Sequence, residues 1–108
     1  AEIFNNKLIL IAGNNFYIYD LDGKIIRQFT SDCIFYEFII YKNNILVVSE
    51  LSIFLLNYDF VKIWSNNYNE IIDKVEMQGT KIVIQDYNKK IIYIDYFTGK
   101  LKLNPPVK

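Results

Sequence analysis

Histidine is absent from these 108 residues. Its absence removes the Ser-His-Asp and Cys-His catalytic arrangements, the imidazole acid–base pair and the commonest metal ligand. Cysteine occurs once, so no internal disulfide can form. That residue, Cys33, has no basic neighbour in Asp32-Cys33-Ile34-Phe35. It therefore reads as a buried, inert thiol, compatible with a reducing cytoplasm. Arginine also occurs once, as Arg27, and basic and acidic residues balance at 12 each. This balance argues against general nucleic-acid binding. No apolar run approaches the roughly 18 residues of a membrane-spanning helix, and no basic-then-apolar leader pattern opens the chain. The expected location is the cytoplasm. The phosphate-cradling patterns GxxxxGK[ST] and GxGxxG are missing, and so is any CxxC pair.

What remains is apolar and aromatic. Hydrophobic residues make up 52% and charged residues 22%, which excludes a disordered chain. Nine tyrosines and eight phenylalanines favour strands, where flat side chains pack well on a pleated surface. A chain of this size buries about two thirds of its unfolded surface, so it needs no metal or disulfide to hold it. The expected organisation is one all-β domain over residues 1–104, with 105–108 (Pro105, Pro106, Val107, Lys108) as an extended tail.

Strand follows strand along the chain. Lys7–Ala12 is apolar, and Asn14-Asn15 marks a turn. Phe16 and Ile18 alternate with Tyr17 and Tyr19. Asp20-Leu21-Asp22-Gly23 is a hairpin, because Gly23 can take positive φ. Lys24–Thr30 and Ile34–Tyr41 follow as strands. The pattern recurs in Ile45–Ser49, Ser52–Asn57 and Phe60–Trp64, and again in Lys81–Gln85, Ile91–Asp95 and Lys100–Leu103. Leu8, Ile45 and Ile82 lie 37 apart; Asp20, Asn57 and Asp95 lie 37 and 38 apart; Lys24, Lys62 and Lys100 lie 38 apart. This is an internal repeat of about 37 residues, with Ile34–Tyr41 and Asp73–Gln78 as linking strands.

One segment, Asn66–Gln78, carries a helical spacing at Tyr68, Ile71, Ile72 and Val75. Alternation at Val75 and Met77 permits a strand instead, so a loop or one helical turn leading into a strand is expected. The fold class is all-β: an antiparallel meander of about 8–11 short strands, forming a β-sandwich or a partly open barrel that hides its apolar faces. Trp64 is the expected core anchor.

The sequence selects no catalytic constellation, and no enzyme activity, cofactor or metal is expected. Asp20 and Asp22 belong to turn chemistry, and the hairpin lacks the oxygen density of a calcium loop. Charge is distributed unevenly instead. From Gln28 to Val61 the single base Lys42 stands against Asp32, Glu37, Glu50 and Asp59. Such a stretch suits a basic partner or an ordinary solvated face. From Lys89 onward Lys89, Lys90, Lys100, Lys102 and Lys108 outweigh Asp95.

Two resemblances accompany these patterns. The strand–Asp-x-x-Gly-Lys–strand core, as in Asp20-Leu21-Asp22-Gly23-Lys24, is similar to the blades of quinoprotein-like β-propellers, although Asn57-Tyr58-Asp59-Phe60 lacks the glycine. Three units are too few to close such a ring in one chain. The resemblance therefore implies either a fragment of such a ring or an assembly of several chains, the latter a non-catalytic repeat module that self-assembles as a scaffold. The segments Asn44–Ile53 and Asn57–Trp64, with Asp86-Tyr87 and Ile94-Asp95-Tyr96, resemble small immunity proteins of bacterial contact-dependent growth inhibition and polymorphic toxin systems. That resemblance implies an antitoxin, monomeric when free, that occludes a basic toxin domain such as a nuclease and touches neither nucleic acid nor membrane. Glu37, Glu50, Asp59, Asp86 and Tyr87 are the candidate partner-binding residues, the carboxylates facing lysines or arginines of the toxin.

Overall fold

The structure, a computed structural model, describes residues 1–102. The expected tail at 105–108 lies outside the described residues. Among the described residues eleven strands run in chain order. β1 (Glu2–Phe4), β2 (Lys7–Ala12), β3 (Asn15–Tyr19) and β4 (Ile25–Thr30) make the first sheet. β5 (Phe35–Tyr41), β6 (Asn44–Ser49), β7 (Ser52–Leu56) and β8 (Lys62–Asn67) make the second. β9 (Ile72–Gln78), β10 (Lys81–Asp86) and β11 (Ile91–Asp95) make the third, and Leu101 bridges Ile94 beyond β11. Every neighbouring pair is antiparallel. The all-β meander expected from the alternation is therefore present. Its sheets remain three separate units and close no barrel.

The repeat is structural. β2, β6 and β10 begin at Lys7, Asn44 and Lys81, each 37 after the last. Irregularities recur at the same period. The register of β3 with β4 skips Ile26, and that of β7 with β8 skips Ile63. Likewise β5 carries Tyr36 and β9 carries Asp73 as extra residues against their partners. Each is a β-bulge, which sharpens twist and turns a side chain out of the regular alternation. The bulge at Asp73 also explains the helix-like spacing. Ile72, Val75 and Met77 all face the core, and the extra residue separates the first two by three positions. No helical turn forms: the chain bends between β8 and β9.

The hairpins repeat a single device. Asp20 Oδ1 accepts from the amides of Asp22 and Lys24, both at 2.9 Å. Asn57 Oδ1 accepts from Asp59 and Val61 at 2.8 and 3.1 Å. Asp86 Oδ1 accepts from Asn88 and Lys90, both at 2.9 Å. The fourth turn residue has positive φ each time: Gly23 at 89°, Phe60 at 65° and Lys89 at 69°. The extra residue in the Asp86 turn produces the slip from 37 to 38. The lysine spacing is not a structural equivalence. Lys24 and Lys100 accept the closing bonds from Asp20 and Asp95, but Val61, not Lys62, does so for Asn57.

Packing follows from alternation. In the second sheet Ile45, Val47, Phe54 and Leu56 point toward the first sheet and meet Ile9, Phe16 and Ile18. Leu46, Val48, Ile53 and Leu55 point the other way and meet Ile82, Ile84, Ile94 and Tyr96 of the third sheet and its turn. β6 and β7 are thus buried on both faces. Full burial of one such side chain contributes roughly 1.5–3 kcal/mol before entropy is counted. Phe16 centres an aromatic cluster with Phe29, Phe35, Phe38 and Phe54 at centroid distances of 5.9–6.4 Å. Cys33 is half-buried rather than fully covered.

Trp64 anchors the joint between the second and third sheets, as a half-buried residue. Its indole Nε1 donates to Tyr96 O at 2.8 Å. Asn66 Nδ2 donates to Gly99 O at 2.6 Å. Gly99 lies flat on the indole: a Cβ there would fall 2.5 Å from Trp64 Cδ2, and φ is +70°. Beneath this joint the fully buried Tyr96 donates its hydroxyl to Tyr41 O.

Two outcomes follow from this joint. Gly23→Ala meets no atom within 4 Å and strains only the backbone, so urea denaturation should show a loss of about 1 kcal/mol. Gly99→Ala adds a clash with the indole and should lose about 3 kcal/mol or more. Equal losses at the two sites would contradict the packing described. Burial, chiefly, raises the Tyr96 hydroxyl above its ordinary pKa of 10.0. Because the folded-state pKa is raised, the stability tied to this hydroxyl is intact below the ordinary value of 10.0 that holds in the unfolded chain, and is lost as pH climbs from there through the folded-state value. Tyr96→Phe should cost about 1 kcal/mol at neutral pH and flatten the alkaline loss of stability.

Candidate functional site

The five sequence-selected residues occupy different parts of the molecule. Glu50 and Tyr87 sit at one end, in the turns after β6 and β10. Asp86 is beside them, but its Oδ1 is committed to its own turn. Asp59 lies in the β7–β8 turn, at the opposite end of β7 from Glu50. Glu37 is exposed on β5, paired with Val48. The structure therefore brings Glu50, Asp86 and Tyr87 to one end and leaves Asp59 away from them.

Backbone bonds stitch that end into a band. Glu50 N donates to Ile34 O at 3.1 Å, and Ile34 N donates to Glu50 Oε1 at 3.3 Å. Ile72 N donates to Glu50 O at 2.8 Å, and Tyr87 N donates to Ile71 O at 3.1 Å. The two bulge residues, Tyr36 and Asp73, join this band. Tyr36, although exposed, has its hydroxyl pKa raised above the ordinary value, first by partial desolvation, then by Tyr87 and Glu50, with Asp73 adding to it. Ile34, Tyr36, Ile71 and Tyr87 are all exposed, Tyr87 to 61%. Beside the band a groove of 360 Å³ runs past Tyr68, Glu70, Ile84, Asp86 and Lys90. Burial raises the Tyr68 hydroxyl there too, against a lowering hydrogen bond from Asn66.

Sequence reasoning missed Tyr36, Asp73, Ile34 and Ile71. The 37-residue spacing of Tyr36 and Asp73 was available, but bulges leave no composition signal, and Asp73 stood inside the helix-like segment. No group of three or more metal-ligating side chains occurs among the described residues.

A second feature is the outward face of the first sheet. Ile3, Leu8 and Tyr19 align across it, as do Leu10 and Tyr17, while their neighbours Ile9, Phe16 and Ile18 point inward. Leu21 and Gly23 of the adjoining hairpin border a concavity of 450 Å³ on this face. The third sheet differs. Its outward rows pair Val83 with Glu76 and Tyr93, Gln85 with Lys74, and Lys81 with Asp95. Lys81 Nζ lies 4.9 Å from the Tyr93 ring centre.

No protein-family model matches the chain, and no curated protein matches it. Solved structures do. The chain is similar to the WD40 domain of Neurospora crassa Pan2, with a TM-score of 0.70 and 14% identity over 98% of this chain and 37% of that one. It is similar to BamB from Moraxella catarrhalis, with a TM-score of 0.66 and 6% identity over 89% and 34%. It is similar to Kluyveromyces lactis Hsv2, with a TM-score of 0.58 and 17% identity over 99% and 35%. The chain spans about a third of the length of each. At these identities the likeness shows the fold: three successive sheets arranged as β-propeller blades are. The blade resemblance read from the Asp-x-x-Gly hairpins holds. None of these three structures is an immunity protein, and nothing in the comparisons supports that resemblance.

The geometry of the band is directly measurable. Tyrosine ring carbon shifts followed through alkaline pH should place the Tyr36 titration above 10.0. Glu50→Gln should lower that value partway, because the partial desolvation of the hydroxyl and the influence of Tyr87 and Asp73 persist when the charge is removed. No change on this substitution would separate Glu50 from Tyr36.

Proposed function

We propose that this chain is a non-catalytic, β-propeller-like repeat module that works as a self-assembling scaffold. The observation that carries the reading is the apolar outward face of the first sheet. Its rows of leucine, isoleucine and tyrosine match, in chemistry, the faces that the three sheets bury against one another. Such a face is stable when another apolar sheet covers it. The outward face of the third sheet carries Lys74, Glu76 and Lys81. Covering the first sheet with that surface would strip charged groups of water, a cost that apolar contact does not repay. The fitting arrangement therefore pairs the first sheets of two copies about a two-fold axis, a contact that closes on itself. The absence of a catalytic role is supported by the missing histidine and by the dispersed carboxylates, with Asp59 far from Glu50 and Glu37 on a strand of its own.

Light scattering behind size exclusion decides this. The chain should elute at twice 12.8 kDa and fall to the single mass on dilution. Leu10→Glu, on the outward face, should give the single mass at all concentrations with its unfolding midpoint in urea little changed. A wild-type chain that stays monomeric at high concentration overturns the scaffold reading.

A further inference from the structure

We propose that the band formed by Ile34, Tyr36, Glu50, Ile71, Asp73 and Tyr87 is a docking surface for an extended protein segment carrying an arginine flanked by apolar side chains. The inference stands apart from self-association, which uses the outward face of the first sheet. Its first support is the construction of the band. Tyr36 and Asp73 are the extra residues of two β-bulges at equivalent positions in successive repeats. Both bulges lie beside Glu50, whose backbone joins them: its amide donates to Ile34 O at 3.1 Å and its carbonyl accepts from Ile72 N at 2.8 Å. Bulges that serve only strand twist have no reason to converge on a shared point between two sheets.

The second support is the exposed apolar content. Ile34 is 44% exposed and Tyr87 61%, yet both are held by backbone hydrogen bonds to neighbouring turns. Exposed aliphatic and aromatic side chains on a backbone already fixed by hydrogen bonds are what a partner's apolar groups need, since little backbone ordering remains to be done on binding. The third support is charge complementarity. None of the six residues is basic, and they include two carboxylates and two phenol rings. A guanidinium suits that pairing. It bonds carboxylates through a planar fork and stacks on aromatic faces, and it is more weakly hydrated than an ammonium. A nucleic-acid phosphate would meet like charge at the same place.

The test uses the full chain, labelled with nitrogen-15, and a blocked leucine–arginine–leucine tripeptide followed by NMR. Amide shifts should move at Ile34, Tyr36, Glu50, Ile71, Asp73 and Tyr87 and remain still at Asp59. Affinity should drop on adding salt, and should weaken at least tenfold in Glu50→Gln/Asp73→Asn. The counterpart tripeptide with citrulline in place of arginine should bind at least tenfold more weakly. The same titration on Leu10→Glu should be unchanged, which keeps this result independent of the association reading. Absent shifts, shifts centred elsewhere, or equal binding by the double variant would each overturn the proposal. If Glu50→Gln/Asp73→Asn unfolds, Tyr87→Ala, at an exposed turn, provides the second variant and should lose binding likewise.

Discussion

The second sheet has no free face, and the rest of the molecule is arranged around that fact. Four consecutive residues, Ile45 to Val48, are completely buried, and so are Ile53, Leu55 and Leu56 opposite them. Side chains alternate strictly in a strand, so half of each set must find partners on either side. The first and third sheets are those partners. Remove either and a row of leucine, isoleucine and valine faces water. This dependence couples the repeats: each sheet alone is a thin meander, and stacking supplies the core that a single repeat lacks.

Turns set the register that makes this stacking possible. An aspartate or asparagine oxygen gathers two amides in three separate hairpins, and a positive-φ residue closes each. Where the sequence has Phe60 instead of glycine, the backbone strain of a left-handed residue, about 1–2 kcal/mol, is offset by packing. Phe60 is buried beside Phe4 with a centroid distance of 6.1 Å, and Asn5 Nδ2 reaches across to Tyr58 O at 2.9 Å. The turn thereby fastens the first sheet to the second. Gly99 against Trp64 performs the equivalent fastening between the second and third.

Much of the fold was legible in the sequence because strand alternation and turn chemistry are local. The Asp20 hairpin, the Phe16/Ile18 face and the 37-residue period all follow from neighbouring residues. The parts that were not legible depend on pairing. Asp73 looks helical in sequence because a bulge stretches the apolar spacing from two to three, and only the partner strand reveals the bulge. Three sheets rather than a closed barrel likewise depend on which strands decline to pair. The site was legible in fragments. Glu50 and Tyr87 were selected from charge and aromatic content, while Asp59 came from the same charge run and lies at the far end. Ile34 and Ile71 read as core residues, since nothing local marks an exposed isoleucine. The propeller-like architecture and the outward-facing surfaces follow from the way sheets stack, which places both candidate binding surfaces outside the buried cores.

The middle sheet, covered on both sides, is the last to open. Native-state hydrogen exchange measures this strand by strand. The amides of β6 and β7 should exchange slowest, with the free energy of global unfolding, while β4, largely exposed, exchanges first. Protection in β6 and β7 no greater than in β4 would contradict the account.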